Sequence, residues 1–216
     1  MSNLVRLWSW SALVLLLGGC SQLYYNTMEK FGFEKRDILV DRVEDARDSQ
    51  QDAKEEFKSA LEQFQALFGK DDSDLQQEYD ALNSAYKDSR AAADRVHERI
   101  NAVESVSTAL FDEWEEELEL YSNAELRQDS ARKLRVTRQD YEQLLKAMRS
   151  AEARMAPVLS VLQDQVLYLK HNLNARAIDR LQGELRTVEE DVARLVREME
   201  QAIAQSEEFI RQMERL

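Results

Sequence analysis

Two histidines are the side chains whose spacing comes closest to that of a metal site. His97 follows Asp94 by three residues and precedes Glu98, which resembles half of a carboxylate–histidine metal site on a helix. A two-metal site in a helical bundle needs a second such pair, and His171 has Tyr168 where the second carboxylate should be. The sequence therefore predicts no metal site and no cofactor.

The motifs of nucleophilic and phosphate chemistry are missing as well. The chain has no G-x-S-x-G pattern, which in hydrolases presents a catalytic serine on a sharp turn. Gly69-Lys70 has Phe64 and Gln65 upstream, where a phosphate-binding loop requires a glycine. These absences predict a non-enzymatic protein and argue against an ATPase.

Cys20 is the only cysteine in the chain, so no disulfide can form within one chain. It follows the apolar run Leu7–Leu17 and the small residues Gly18 and Gly19. The run is too short to cross the roughly 30 Å hydrocarbon core of a bilayer as a helix, which suits a cleaved signal peptide. A lipoprotein signal needs a cysteine at this position because its thiol takes the diacylglycerol. The sequence therefore predicts a signal peptide over 1–19 and a lipid on Cys20.

The lipid would make the membrane a partner of the chain without a membrane-spanning helix. Acyl chains contribute about 0.8 kcal/mol for each buried CH₂ group, so three of them anchor a protein stably. An ordinary secreted protein with a chance cysteine is the alternative. Ser21, and not an aspartate, follows the cysteine, and the lipoprotein sorting rule that this resembles implies the outer membrane, facing the periplasm. Residues 20–34 form a juxtamembrane segment, in which Tyr24 and Tyr25 lie either at the lipid interface or against the base of the helices.

Composition favours an all-α protein and argues against nucleic-acid binding. The formal net charge is −13, whereas binding to phosphate needs clustered lysine and arginine. The chain has one proline and five glycines. These are too few turn-forming residues for a β-sheet protein of this length.

Apolar residues recur in alternating steps of three and four along most of the chain. This heptad period places one apolar stripe, or seam, along one face of each helix and is typical of coiled-coil packing. Four helices are predicted, from about Lys35 to Phe68, from Ser73 to about Leu120, from Ser122 to about Lys170 and from about Ala175 to the end. Their seams run over Leu39–Leu67, Leu75–Trp114, Leu134–Leu169 and Ile178–Leu216.

Short breaks between these helices favour antiparallel neighbours. Ser73 with Gln76 and Ser122 with Glu125 form capping-box patterns at two of the breaks. Six acidic residues precede the break at Ser122 and five basic residues follow it, so an antiparallel fold-back would place opposite charges side by side. An acidic docking patch is the alternative. The predicted fold is an elongated antiparallel helical bundle or coiled coil of about four long helices over 35–216.

Two features interrupt the apolar seams. Pro157 lies inside the third seam and is expected to kink that helix, because proline removes one backbone hydrogen bond. Five seam positions are polar, and they either fix the register of the helices or line a functional channel; they are Gln50, Ser89, Ser107, Gln165 and Ser206.

The break at 170–175 contains no glycine, so a continuous bent helix is the alternative to a turn there. If the four helices alternate in direction, this segment and Gly69 lie together at the end far from the membrane. A polar group at that end is a candidate contact for a protein partner or a glycan, and a capped helix turn is the alternative. The group consists of Lys170, His171, Asn172, Asn174 and Arg176.

Four stretches of the chain resemble a family of proteobacterial lipoproteins known only as a domain of unknown function. They are Tyr24-Tyr25, Glu34–Arg47, Phe111–Glu115 and Leu169–Ile178. The resemblance covers nearly the whole mature chain and implies no activity. Some members of that family carry a DNA-repair ATPase label, which the export signal, the negative charge and the missing phosphate-binding loop argue against.

Together these observations predict a non-enzymatic envelope lipoprotein that acts as a helical scaffold, spacer or adaptor at the outer membrane. A protein partner or self-association is expected, and no nucleic acid. The alternative is a membrane-stress or membrane-remodelling protein that self-assembles through its long faces.

Overall fold

A computed structural model of the chain describes residues 34–68 and 75–215. Within these ranges the regular structure is all helical, with no strand, which confirms the predicted all-α class. The predicted signal peptide over 1–19, Cys20 and the predicted break at Gly69–Ser73 lie outside the described residues. The helices are α1 (Lys35–Ala66), α2 (Leu75–Leu118), α3 (Ala124–His171), α4 (Ala175–Gln182) and α5 (Leu185–Met213).

The predicted seams form the core. Every seam residue of α1 from Leu39 to Leu67 is fully buried, and every seam residue of α3 from Leu134 to Leu169 is buried. In the other two seams only a few positions are half-buried, among them Tyr79, Trp114 and Ile178. The heptad pattern therefore identified the buried face of each long helix. Further buried apolar residues flank the seams and widen the core; they include Ile38, Val106, Phe111, Val166 and Ile210.

The start of α3 differs from the capping box predicted at Ser122. The N-cap is Asn123, whose side-chain oxygen accepts hydrogen bonds from the backbone N–H groups of Glu125 and Leu126 at 2.9 and 3.2 Å. Asparagine is among the best N-cap residues because its short side chain reaches the free N–H groups of the first turn. The predicted cap at Ser122 is therefore wrong by one residue.

The predicted fourth helix is two helices, which makes five helices in the described residues instead of about four. Gly183 and Glu184 separate α4 from α5, although both keep right-handed helical dihedral angles. Their N–H groups donate to the carbonyls of Arg180 and Leu181, three residues back, so the chain tightens into a 3₁₀-type turn. Glycine is a poor helix former, which explains why the interruption falls here.

The third helix continues through Pro157 without a break. Pro157 is exposed, and so is Ala153, whose carbonyl loses its hydrogen-bond donor, which limits the cost of a proline inside a helix. Asn172, Leu173 and Asn174 then separate α3 from α4. Of the two alternatives for 170–175, the structure therefore has a turn.

Neighbouring helices run in opposite directions where their contacts are described. Helix α1 packs against α2 and α5, and α3 packs against the same two helices. Between α1 and α2, Lys35 Nζ lies 2.9 Å from Glu113 Oε1, and Ser89 Oγ donates to the Glu56 carbonyl at 3.1 Å. Residue numbers therefore rise along α1 as they fall along α2.

The same reversal holds between α2 and α3. Arg138 donates to Glu115 Oε1 at 2.7 Å, and Arg127 pairs with Glu119. The acidic end of α2 therefore lies beside the basic start of α3, which confirms the side-by-side charges predicted for this hairpin. Such exposed ion pairs contribute about 0–1 kcal/mol each to stability. They therefore favour the pairing of α2 with α3 over other arrangements more than they stabilise the fold.

The polar seam residues are buried, and their hydrogen-bond partners differ. Ser89 bonds across to α1, whereas Ser107 and Ser206 donate to carbonyls of their own helices. Gln50 is fully buried, and neither of its amide atoms has a hydrogen-bond partner in the described part of the chain. Ser89 therefore ties α2 to α1, and a side-chain hydrogen bond between Ser107 and Tyr141 ties α2 to α3.

Candidate functional site

The five residues predicted as a partner contact lie at the end of α3 and the start of α4. Lys170, His171, Asn174 and Arg176 are exposed, and Asn172 is half-buried. Gln65 Nε2 donates to Glu189 Oε1 at 2.7 Å, which places the end of α1 near the start of α5 and so near this segment. Gly69, predicted at the same end, lies outside the described residues.

The two asparagines of this group cap helices. Asn172 ends α3, and its side-chain Nδ2 donates to the Tyr168 carbonyl at 2.9 Å. Asn174 starts α4, and its Oδ1 accepts from the N–H of Ala177 at 3.1 Å. These bonds satisfy backbone groups that a helix end leaves without partners. Lys170, His171 and Arg176 remain as the exposed members of the group with no capping role.

A second polar cluster, which we call the His97 network, joins α2 to α3 at mid-length. His97 Nδ1 lies 2.5 Å from Glu152 Oε1, and its Nε2 lies 3.0 Å from Asn101 Nδ2. Arg149 donates to Glu152 at 2.7 Å and to Asn101 at 2.6 Å, and it also pairs with Glu104. The network therefore combines one histidine, one arginine and two carboxylates across a helix interface.

The partner of His97 is not one of the neighbours considered from the sequence. Asp94 and Glu98 are close to His97 in the chain, whereas Glu152 lies on another helix. The feature of the sequence that could have identified the network is the helical spacing of His97, Asn101 and Glu104 on α2. Arg149 and Glu152, three residues apart on α3, are the opposite half of the same feature. No group of three or more histidine, cysteine, aspartate or glutamate side chains in residues 34–68 and 75–215 is arranged to hold a metal ion.

Charge pairing shifts the pKa values within the His97 network. Burial alone would raise the pKa of the Glu152 carboxyl, but hydrogen bonds from Arg149 and His97 outweigh it and lower the pKa below the usual 4.5. Burial alone would lower the pKa of Arg149, but hydrogen bonds to Glu104 and Glu152 raise it. Both groups are therefore held in their charged forms.

This shift predicts an acid-sensitive contribution to stability. A carboxyl whose pKa is lower in the folded state stabilises the fold above the unfolded pKa, and the stabilisation is lost as the pH falls through the folded value. We expect Arg149→Met to cost about 1 kcal/mol at neutral pH, and the cost to shrink towards zero as the pH falls below 4.5. Urea denaturation at pH about 7 and pH about 3 measures the difference.

Arg186→Met is the matched control. Arg186 pairs with Glu190 on the exposed face of α5, with no second helix involved, so its loss should change stability little at either pH. An equal cost of Arg149→Met at both pH values would show that the network is not held together by charge.

A cleft of about 710 Å³ opens where α1 begins beside the α2–α3 hairpin. Trp114 Nε1 donates to Ser130 Oγ across the hairpin at 2.8 Å, and Lys35, 3 % exposed, reaches Glu113. The wall of the cleft combines charged residues of α1, α2 and α3 with apolar side chains of α2, of the turn and of the start of α3. Its lining includes Glu34, Leu110, Trp114, Tyr121, Leu126 and Lys133.

The turn beside this cleft exposes apolar side chains. Residues 119–126, which we call the tip, comprise the turn between α2 and α3 and the first residues of α3. Leu120 is 82 %, Leu126 57 % and Tyr121 41 % exposed. None of the three belongs to a predicted seam, and the sequence reasoning did not single them out. The feature of the sequence that could have identified them is a leucine on each side of the predicted break, at a position outside the heptad seam.

Cys20, the predicted lipid attachment site, lies outside the described residues. Within the described ranges, no helix has a stretch long and apolar enough to cross a membrane. No curated protein and no solved structure matches the chain. A family model described as "Protein of unknown function (DUF2959)" matches residues 24–213, which is nearly the whole chain that follows Cys20. The chain therefore belongs to the DUF2959 family of proteins of unknown function.

Proposed function

We propose that the chain is a non-enzymatic envelope lipoprotein, anchored at the outer membrane by acyl chains on Cys20 and facing the periplasm. Its helices form an elongated antiparallel bundle of about four long helical segments that acts as a scaffold, spacer or adaptor. The observation that carries this proposal is a sole cysteine directly after a short apolar run and two glycines. A single thiol at that position suits lipid attachment and cannot form a disulfide within one chain.

The dimensions of the helices support a role in bridging distance. Helix α3 has 48 residues, which at about 1.5 Å per residue is about 70 Å of continuous helix. It packs on α2 and α5 along buried apolar seams, so its side chains are held against neighbours over most of its length. A rod of this kind keeps its two ends at a fixed separation.

The end that contains the α3–α4 turn supplies a candidate surface for a protein partner. Lys170, His171 and Arg176 are exposed there, and Arg180 lies over the ring of Tyr168 at 5.7 Å. Cationic side chains on a chain of net charge −13 favour an acidic contact at this position. A partner bound there would be held about one rod length from the lipid.

Crosslinking in intact cells tests the proposal. The lipidated wild-type chain should fractionate with the outer membrane and yield a discrete crosslinked partner, and Cys20→Ala should lose both. The triple variant Lys170→Ala, His171→Ala and Arg176→Ala should keep membrane association and lose the partner. The matched control replaces Arg95, Lys146 and Gln201, which are exposed at mid-length of their helices, with alanine and should lose neither.

Two outcomes would redirect the proposal. A Cys20→Ala chain that still fractionates with the outer membrane would contradict lipid anchoring. Recovery of the chain alone, as a ladder of multimers, would favour the alternative of a membrane-stress or membrane-remodelling protein that self-assembles.

A further inference from the structure

The tip and the start of α1 lie at the same end of the bundle. Glu34, Tyr121 and Leu126 line one cleft, and Lys35 Nζ lies 2.9 Å from Glu113 Oε1. Leu120 follows Glu113 by seven residues, which at about 1.5 Å per residue is about 10 Å along the helix. The tip therefore projects beyond the point at which α1 begins.

The length of chain before α1 limits where a membrane could be. Cys20 precedes Glu34 by 14 residues, and a fully extended chain of that length spans at most about 50 Å. If Cys20 carries the anchor, the lipid surface lies within that distance of the start of α1. The opposite end of the bundle is farther away, because Leu167 lies 41 residues beyond Leu126 on the same helix, or about 60 Å.

The exposed apolar residues of the described chain are concentrated at the end near the anchor. Large apolar side chains with high exposure are Leu120, Tyr121, Leu126, Val136 and Leu167, and three of these belong to the tip. Single exposed apolar residues are ordinary, whereas a group of them at one end of the helices is a candidate contact surface for a membrane or another protein. Asn123 holds this turn in place through its two bonds to the first turn of α3.

The charged side chains around the tip are mainly acidic, with exposed glutamates on both sides of the turn. Glu119 pairs with Arg127, and Glu115 pairs with Arg138. The arginines of these pairs are therefore committed to neighbouring carboxylates and are poorly placed to recognise anionic headgroups. The tip thus fits a lipid surface through its apolar side chains and the phenol of Tyr121, which suits the boundary between headgroups and acyl chains.

We propose that the tip inserts Leu120, Tyr121 and Leu126 into the headgroup region of the membrane that holds the lipid anchor. The tip end of the bundle then contacts the membrane, and the α3–α4 turn is directed away from the lipid. This inference rests on the proposed lipid anchoring and adds a second contact, which sets the orientation of the rod.

A fluorescent probe at position 120 tests this orientation. The full-length lipidated chain with Leu120→Cys is labelled with an environment-sensitive probe and reconstituted into phosphatidylcholine vesicles that carry a nitroxide near the headgroup. We expect the emission to shift to the blue and to be quenched. Leu167→Cys, on an exposed leucine at the other end of α3, is the matched control and should show neither change. Replacing Leu126 with aspartate should reduce the quenching at position 120.

Each other outcome overturns the orientation. Equal quenching at positions 120 and 167 would mean that the rod lies flat on the membrane. No quenching at either position, on vesicles that still bind the protein, would place the tip in water. A blue shift without nitroxide quenching would assign the tip to a second copy of the chain. Labelling of the wild-type chain separates these results from a failure of anchoring, because an acylated Cys20 has no thiol to label.

Discussion

Phe57→Ala is expected to destabilise the protein by about 3–5 kcal/mol, because the substitution removes a large buried ring and leaves a cavity. Phe57 lies in the middle of the α1 seam and is fully buried. The adjacent carbonyl of Glu56 accepts the hydrogen bond from Ser89 on α2, which ties the backbone at this level to its neighbour. That restraint limits how far α1 can move to fill the cavity.

Urea denaturation followed by far-ultraviolet circular dichroism measures this effect, in a chain that begins at residue 20 with Cys20→Ala and so lacks both the lipid and the apolar run Leu7–Leu17. Leu167→Ala is the matched control because Leu167 is half exposed, and surface substitutions usually change stability by less than about 0.5 kcal/mol. A cost of Phe57→Ala no larger than that of the control would mean that the α1 seam is not part of the core.

Gln50→Leu is expected to stabilise the protein by about 1–3 kcal/mol. Gln50 has no accessible surface, and both amide atoms lack hydrogen-bond partners among the described residues. A buried polar group without partners loses its bonds to water and gains nothing in exchange. Leucine has a similar volume and no polar atoms, so it fits the seam without that loss.

The same denaturation experiment tests this expectation, with Gln165→Leu as the control. Gln165 also occupies a seam but keeps 8 % exposure, so its amide retains some access to water and the gain from leucine should be smaller. A destabilised Gln50→Leu variant would show that the amide is satisfied in the native protein, for example by a bound water. Size-exclusion chromatography of the same variant would show whether Gln50 also limits oligomerisation, as buried polar residues do in coiled coils.

The buried faces of the helices could be predicted because the heptad signal is summed over many residues. Each seam rests on about ten positions, so a single polar residue such as Gln50 or Ser89 does not hide it. The ends of the helices were harder, because Ser122 and Asn123 are both good N-cap residues and the sequence alone does not decide between them. Glycine is a poor helix former, but whether a lone glycine such as Gly183 interrupts a helix depends on the packing around it.

The polar network and the tip could not be predicted for a different reason. The pairing of His97 with Glu152 depends on the register between α2 and α3, which a one-residue change in the connecting turn would alter. The exposure of Leu120 and Leu126 depends on how far the α2–α3 hairpin extends past the start of α1. Both are properties of the assembled helices, and the periodicity within one helix does not contain them.

The intact mass of the mature protein, purified from outer membranes, tests lipid anchoring at Cys20. We expect a chain that begins at Cys20 and carries a thioether-linked diacylglycerol and an amide-linked acyl group on that residue. A mature chain that begins at another residue, or one in which Cys20 keeps a free thiol, would contradict lipid anchoring and with it the proposed orientation of the rod.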